Sequence, residues 1–157
     1  MPVTHERDID WTERENGETG FRRKQLGEAA DGERLGCSLY ELPPGRKSWP
    51  YHYHTANEEA IYVLAGEGQL RHDGSVHELT AGSYAAFPAD ESGGHRVINS
   101  TDSVLRYLAT STMTEPDVTR YPDSETFGVF VGSPPGGRDG RSLAGYYRVD
   151  DDIGYQG

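Results

Sequence analysis

The chain has little cysteine, little lysine and no long apolar run. Cys37 is the only cysteine, so no internal disulfide can form, as is usual in a reducing cytoplasm. No run of about 18 or more apolar residues exists, which excludes a membrane-spanning helix. Residues 1–16 are polar and charged and contain no apolar core of a signal peptide. With 157 residues, the chain is expected to be a soluble, cytoplasmic, single-domain protein.

The basic residues are few and almost all arginine. Lys24 and Lys47 are the only lysines among 15 basic residues, and 26 acidic residues bring the net charge to −11. Such a surface repels itself in dilute buffer, whereas at about 1 M salt the Debye length is about 3 Å and the repulsion is screened. The composition resembles that of proteins from salt-accumulating halophilic archaea; an ordinary acidic protein is the alternative. We expect no binding to nucleic acid or anionic membranes, and a fold that needs high salt. Full stability in salt-free buffer would contradict the salt requirement.

Short apolar segments closed by turn residues follow Gly36. They recur about every ten residues and are separated by breaks such as PPG, GEG, HDG and ESGG. This spacing is typical of a sandwich or barrel of antiparallel strands. The predicted strands cover residues 37–42, 48–54, 60–65, 68–72, 76–79, 83–87, 95–99 and 104–110.

The two ends of the chain are more polar than its centre. Residues 1–34 have the composition of an arm, in which 21–26 could form an edge strand. Residues 115–124 are predicted to be a loop, followed by short strands at 128–131 and 146–149. We therefore predict one all-β domain, with an N-terminal arm at 1–34, a barrel at 35–131 and a polar C-terminal extension at 132–157.

Two histidines stand one residue apart in the segment YHYH. Alternate side chains of a strand share a face, so His52 and His54 can both reach one metal ion at about 2.0–2.2 Å. Glu58 or Glu59 can add a carboxylate from the next strand, and His95 could supply a third imidazole. Each of these residues alone is more often a solvated charge or a hydrogen-bonded core side chain. Their combination is what indicates a metal site.

The intervals between these residues resemble the two sequence motifs of the cupin superfamily. The six residues that separate Glu59 from Gly66 favour Glu59 over Glu58 as the ligand. The chain departs from the motifs in a longer gap before His52 and in Asp90, which replaces a glycine; both changes alter loops and not ligands. The matching residues are Gly45, His52, His54, Glu59 and Gly66 in the first motif, and Gly82, Pro88, His95 and Asn99 in the second.

The resemblance implies a cupin jelly-roll barrel in which His52, His54, Glu59 and His95 hold a divalent metal ion. Fe, Mn, Ni, Co and Zn all suit this ligand set. It also implies open coordination positions for a small-molecule substrate, hence a metal-dependent enzyme: an oxygenase first, an isomerase or lyase next. The alternative is a non-catalytic module that binds or senses a metal or small ligand. The chain is also similar to small single-domain cupins of uncharacterised role.

Strand alternation predicts an aromatic face opposite the histidines. It would carry Trp49, Tyr51 and Tyr53, with Tyr62 and Leu64 on the next strand. An exposed apolar patch of this kind needs a cover. Either the N-terminal arm or a second subunit could provide it, and a homodimer is the expected arrangement.

The predicted cavity is mainly apolar, with few polar groups. Basic residues near the motifs either attract an anionic substrate at the cavity mouth or are ordinary solvated charges. The candidate polar groups inside are Ser48, Tyr84 and Tyr107, and the candidate basic residues are Arg46, Lys47 and Arg96.

Overall fold

The computed structural model describes residues 1–137 and 139–156. These residues form thirteen strands, one short helix and four 3-10 turns, which confirms the predicted all-β architecture. Within the same ranges, no helix is long and apolar enough to cross a membrane. The strands are β1 (Thr12–Asn16), β2 (Thr19–Gln25), β3 (Leu35–Leu42), β4 (Tyr53–His54), β5 (Glu59–Ala65), β6 (Gly68–His72), β7 (Ser75–Leu79), β8 (Tyr84–Phe87), β9 (His95–Ile98), β10 (Leu105–Thr112), β11 (Asp117–Tyr121), β12 (Thr126–Val131) and β13 (Leu143–Arg148). The helix α1 is Leu26–Ala29, and the 3-10 turns are Glu6–Asp8, Glu91–Gly93, Pro122–Ser124 and Val149–Asp151.

The strands form three antiparallel sheets. The largest has six strands in the order β1-β2-β3-β10-β5-β8, and the others have the orders β13-β12-β11-β4 and β7-β6-β9. An isolated backbone bridge between His52 and His95 joins the two smaller sheets. Its two N–H···O bonds measure 3.2 and 3.0 Å. Two histidines therefore lie where these sheets meet.

The hydrophobic core is built from the six-stranded and the three-stranded sheets. Its side chains follow the alternation predicted for β5, where Ile61 and Val63 are buried while Tyr62 and Leu64 are exposed. Burial of each such aliphatic side chain contributes about 1.5–3 kcal/mol. This packing fixes the register of β5 and so the direction of its first residue, Glu59.

The predicted strand over 48–54 is regular only at its C-terminal end, since β4 contains two residues. Pro50 has no N–H to donate, and only two residues of the segment form backbone hydrogen bonds with the β9 strand. Without continuous pairing, the side chains need not alternate. Trp49, predicted to face outward, instead packs against the core, with its ring 4.8 Å from that of Phe21.

Both ends of the chain contribute strands: β2 overlaps the edge strand predicted at 21–26, whereas β1 and β11 were not predicted. In the predicted N-terminal arm, β1 and β2 form a hairpin that adds to the edge of β3. The segment 115–124, predicted to be a loop, contains β11, which pairs with β4 and β12. The loop prediction is wrong there because Asp117 and Thr119 are buried against the site described next.

Candidate metal centre

The structure brings the four predicted ligands together around one carboxylate oxygen. The Oε2 atom of Glu59 lies 3.6 Å from Nε2 of His52, 3.3 Å from Nε2 of His54 and 3.4 Å from Nε2 of His95. All three histidines are buried. The donor atoms of His52, His54 and Glu59 lie within 4.8 Å of one another, so this group could hold a metal ion.

The opposite nitrogen of each imidazole is held by an acceptor. Nδ1 of His52 lies 2.8 Å from the carbonyl oxygen of Pro50, and Nδ1 of His95 lies 2.9 Å from that of Gly93. Because a carbonyl oxygen can only accept, Nδ1 carries a proton in both rings, and Nε2 is the nitrogen that faces Glu59. Metal-binding histidines are oriented in the same way, by a hydrogen bond from the nitrogen that does not bind the metal.

His54 is held by a carboxylate instead of a carbonyl group. Its Nδ1 lies 2.6 Å from Oδ2 of Asp117, which is fully buried on β11. The other oxygen of Asp117 accepts the backbone N–H of Ala56 at 3.0 Å. Burial opposes ionisation of Asp117, but the hydrogen bond from His54 prevails and lowers its pKa. Sequence reasoning missed Asp117, although the alternation in DVTRY places Asp117, Thr119 and Tyr121 on one strand face.

The central oxygen of Glu59 has no hydrogen-bond partner although it is buried. Its distances of 3.3–3.6 Å to the imidazole nitrogens exceed those of ordinary hydrogen bonds. A buried carboxylate oxygen at these distances from three imidazole nitrogens needs a positive charge beside it, either a proton on one imidazole or a bound cation. Ligand atoms about 2.1 Å from one ion lie roughly 3.0–3.4 Å apart in octahedral or tetrahedral geometry. The residues present fit a divalent ion.

The site strongly favours positive charge at its centre. Burial opposes protonation of His54, but the charge of Glu59 and the hydrogen bond to Asp117 outweigh it and raise the pKa of His54 to about 10. Burial likewise opposes ionisation of Glu59, but the positive charge of His54 holds the pKa of that carboxyl well below its usual range. For His95, burial and the neighbouring His52 lower the pKa to about 3, so this ring is neutral. A metal ion would have to displace the proton of His54, because neutral imidazoles and ionised carboxylates are the forms that bind metal ions.

A cavity of about 570 Å³ opens beside these residues, and His52, His54 and Glu59 form part of its wall. The remaining wall comes mainly from β2, β3, β10 and the segment 132–137. Such a volume is typical of small-molecule sites. The cavity gives a bound ligand direct access to the candidate metal centre.

The polar groups predicted for the cavity lie elsewhere. Tyr84 is 68% exposed on β8, so its assignment to the cavity is wrong. Ser48 is buried and its hydroxyl accepts the backbone N–H of Val97, while Tyr107 is buried and its ring stacks on that of Tyr40. None of the three predicted residues is part of the cavity wall.

The basic residues predicted at the cavity mouth form ion pairs with acidic residues. Arg46 pairs with Glu15 at 3.1 Å, and Lys47 pairs with Glu18 at 2.8 Å. Arg96 also reaches Glu18, at 3.3 Å. These three basic side chains are not part of the cavity wall. The wall instead contains Arg14, Arg23 and Arg141, which sequence reasoning missed.

Comparison with known proteins agrees with this architecture. Residues 38–111 match the family model described as a cupin domain. The matched segment resembles a cupin domain. It spans β3 to most of β10 and includes His52, His54, Glu59 and His95. No curated protein matches the chain.

Solved structures share the cupin jelly-roll fold over most of the chain. A sugar phosphate isomerase of the cupin superfamily from Silicibacter pomeroyi is 26% identical, with a TM-score of 0.82 over 96% of this chain and 94% of that one. A provisionally named sugar phosphate isomerase from Acidithiobacillus ferrooxidans is 22% identical, with a TM-score of 0.82 over 99% and 97%. A predicted oxalate decarboxylase from Thermotoga maritima is 24% identical, with a TM-score of 0.62 over 70% and 97%. The two longer matches extend beyond the cupin domain into both ends of the chain.

Proposed function

We propose that the chain is a metal-dependent enzyme that acts on a small molecule in the cavity. The observation that carries the proposal is the convergence of three imidazole nitrogens on the buried, unpartnered Oε2 of Glu59. His52, His54, Glu59 and His95 would be the ligands. The ligand set suits Fe, Mn, Ni, Co or Zn. A site that served only to stabilise the fold would not need to border a cavity of about 570 Å³.

Within this class we favour an isomerase over the oxygenase first expected from the sequence. The similarity to a sugar phosphate isomerase at 26% identity, over 96% of this chain, supports that choice. A lyase would use a related proton transfer, and a non-catalytic binding module is the remaining alternative.

The roles of the protein groups in such a reaction follow from their contacts. Asp117 and the carbonyl oxygens of Pro50 and Gly93 fix the rings of the three histidines, so that Nε2 of each ring faces the centre. A divalent ion bound there would act as a Lewis acid toward a substrate oxygen. The cavity wall orients the substrate against this centre and limits its contact with water.

The proposal is tested by following carbon-bound hydrogen in heavy water. Protein loaded in turn with Mn, Co, Ni, Zn or Fe(II) is incubated with a panel of aldoses, ketoses and their phosphates, and proton NMR follows the products. We expect interconversion of an aldose and ketose pair with deuterium entering the carbon-bound position, and no reaction by the chelator-treated protein.

An oxygen electrode run on the Fe(II) form separates the two enzyme classes. Oxygen consumption on addition of a substrate, without isomer formation, would contradict the isomerase proposal and favour the oxygenase. If no metal binds at all, both enzyme proposals are wrong.

A homodimer is also proposed. Tyr62, Leu64 and Tyr84 are 45%, 40% and 68% exposed on adjacent strands β5 and β8, so an apolar face is available for a second subunit. Light scattering in high salt should give twice the chain mass; a mass of 17.3 kDa would overturn this proposal. The cytoplasmic location and the salt requirement also stay predictions.

A further inference from the structure

Arg23 is a cation on the cavity wall without an acidic partner. It lies on the same face of β2 as Phe21 and Gln25, toward the barrel interior, and it contributes to the cavity wall. Its Nε atom is buried and has no hydrogen-bond partner. Within residues 1–137 and 139–156, no carboxylate forms an ion pair with Arg23, whereas the adjacent Arg22 on the opposite face pairs with Glu41 at 2.7 Å. A partly buried guanidinium without a carboxylate partner keeps a positive charge and a free donor that an anionic ligand can use.

Two further hydrogen-bond donors lie beside this guanidinium. The hydroxyl oxygen of Tyr40 accepts from Nη1 of Arg23 and from Nε1 of Trp49, each at 3.4 Å. Both contacts are long, so the donors retain capacity for a better acceptor. Because the Tyr40 oxygen already receives two donors, its own proton is available to a third group. Arg23, Tyr40 and Trp49 all belong to the cavity wall and form what we call the donor cluster.

Acidic residues are also present on the cavity wall, but they are more exposed to solvent than the guanidinium of Arg23. The carboxylates outside the candidate metal centre belong to exposed residues, which water solvates, whereas Nε of Arg23 is closed to solvent. Charge interactions are screened at the exposed positions and much less so at the buried one. The exposed acidic residues of the wall are Glu28, Glu33, Glu115 and Asp139.

We infer that the donor cluster binds a carboxylate or phosphoryl group of the substrate while another part of the substrate reaches the metal centre. A guanidinium flanked by a hydroxyl and an indole N–H offers several donors and a full positive charge to an oxyanion. The substrate is then a small anion whose charged group and reacting group are held at separate points of one cavity. This inference rests on the proposed function, because it names the substrate class of that site.

The test uses Trp49 as a local reporter. In a Trp11→Phe background Trp49 is the only tryptophan, and its fluorescence is titrated in metal-loaded protein at constant ionic strength. The probes are methyl phosphate, acetate and, as a neutral control, glycerol. The variants are Arg23→Gln and, as a matched control, Arg22→Gln, which removes the same charge from the opposite face of the same strand.

We expect one or both anions to change the Trp49 fluorescence in the parent and in Arg22→Gln, with binding about tenfold or more weaker in Arg23→Gln. Methyl phosphate as the tighter probe would indicate a phosphorylated substrate, and acetate a carboxylate. Equal binding to the parent and to Arg23→Gln would overturn the inference, since the anion would then sit at the metal. Absence of any anion effect would also overturn it.

The metal content of the same samples separates this inference from the proposed function. Retention of metal by Arg23→Gln is expected, and its loss would overturn the inference, because Arg23 would then support the fold and not a ligand. If the parent binds metal but no anion, only the inference on the donor cluster is contradicted. If the parent binds an anion through Arg23 but binds no metal, only the proposal of a metal-dependent enzyme is contradicted.

Discussion

Replacement of Glu59 with glutamine should lower the affinity for divalent metal by more than about 100-fold, because the carboxylate at the centre of the three imidazoles becomes a neutral amide. The change preserves the shape of the side chain, so the barrel should stay folded. Metal content after dialysis against one equivalent of Zn or Mn, measured by mass spectrometry, gives the result, and circular dichroism reports the fold.

Glu58→Gln provides the matched control for this experiment. Glu58 is adjacent in sequence, carries the same charge and is exposed at the end of the turn before β5. We expect this variant to bind metal as the parent does. Loss of metal from Glu58→Gln with retention by Glu59→Gln would show that the ligand had been assigned to the wrong glutamate. Equal retention by both variants would show that the carboxylate is not a ligand.

Replacement of Asp117 with asparagine should weaken metal binding about 10–100-fold without removing any ligand. The buried carboxylate holds Nδ1 of His54 at 2.6 Å, and its charge makes the ring a stronger donor to the metal. Asparagine can still accept this hydrogen bond but lacks the charge. Competition with a chromophoric chelator measures the change in affinity.

The control for Asp117 is the same substitution at Asp123, which is exposed and pairs with Arg71. Asp123→Asn should leave the metal affinity unchanged, since the residue has no contact with the imidazoles. An Asp117→Asn protein with parental affinity would mean that the carboxylate serves only the packing of β11. A variant that unfolds is separated from one that merely binds weakly by its circular dichroism spectrum in the absence of metal.

Local spacing, together with the resemblance to the cupin motifs, was sufficient to predict which side chains converge at the candidate metal centre. On an extended chain, His52 and His54 share a face, and the resemblance to the cupin motif, through the interval to Gly66, favoured Glu59 over Glu58. The all-β architecture followed from the turn residues between short apolar segments. These features depend on neighbours within a few residues, which the sequence displays directly.

The residues that support the ligands depend on contacts between distant parts of the chain. Asp117 and His54 are 63 positions apart in sequence, and the pairing of β11 with β4 brings them into contact. The residues around Asp117 do not predict that pairing. Arg23 joins the cavity because β2 pairs with β3. Trp49 was predicted on the wrong face because Pro50 interrupts regular pairing. Single-strand alternation carries no information on such tertiary contacts.

The backbone bridge between His52 and His95 has a mechanical consequence. The backbones of the two residues are hydrogen-bonded to each other where the two small sheets meet, and both side chains face Glu59. A cation bound by those two rings would cross-link the two small sheets. Cation binding should therefore slow deuterium exchange at the amides of His52 and His95.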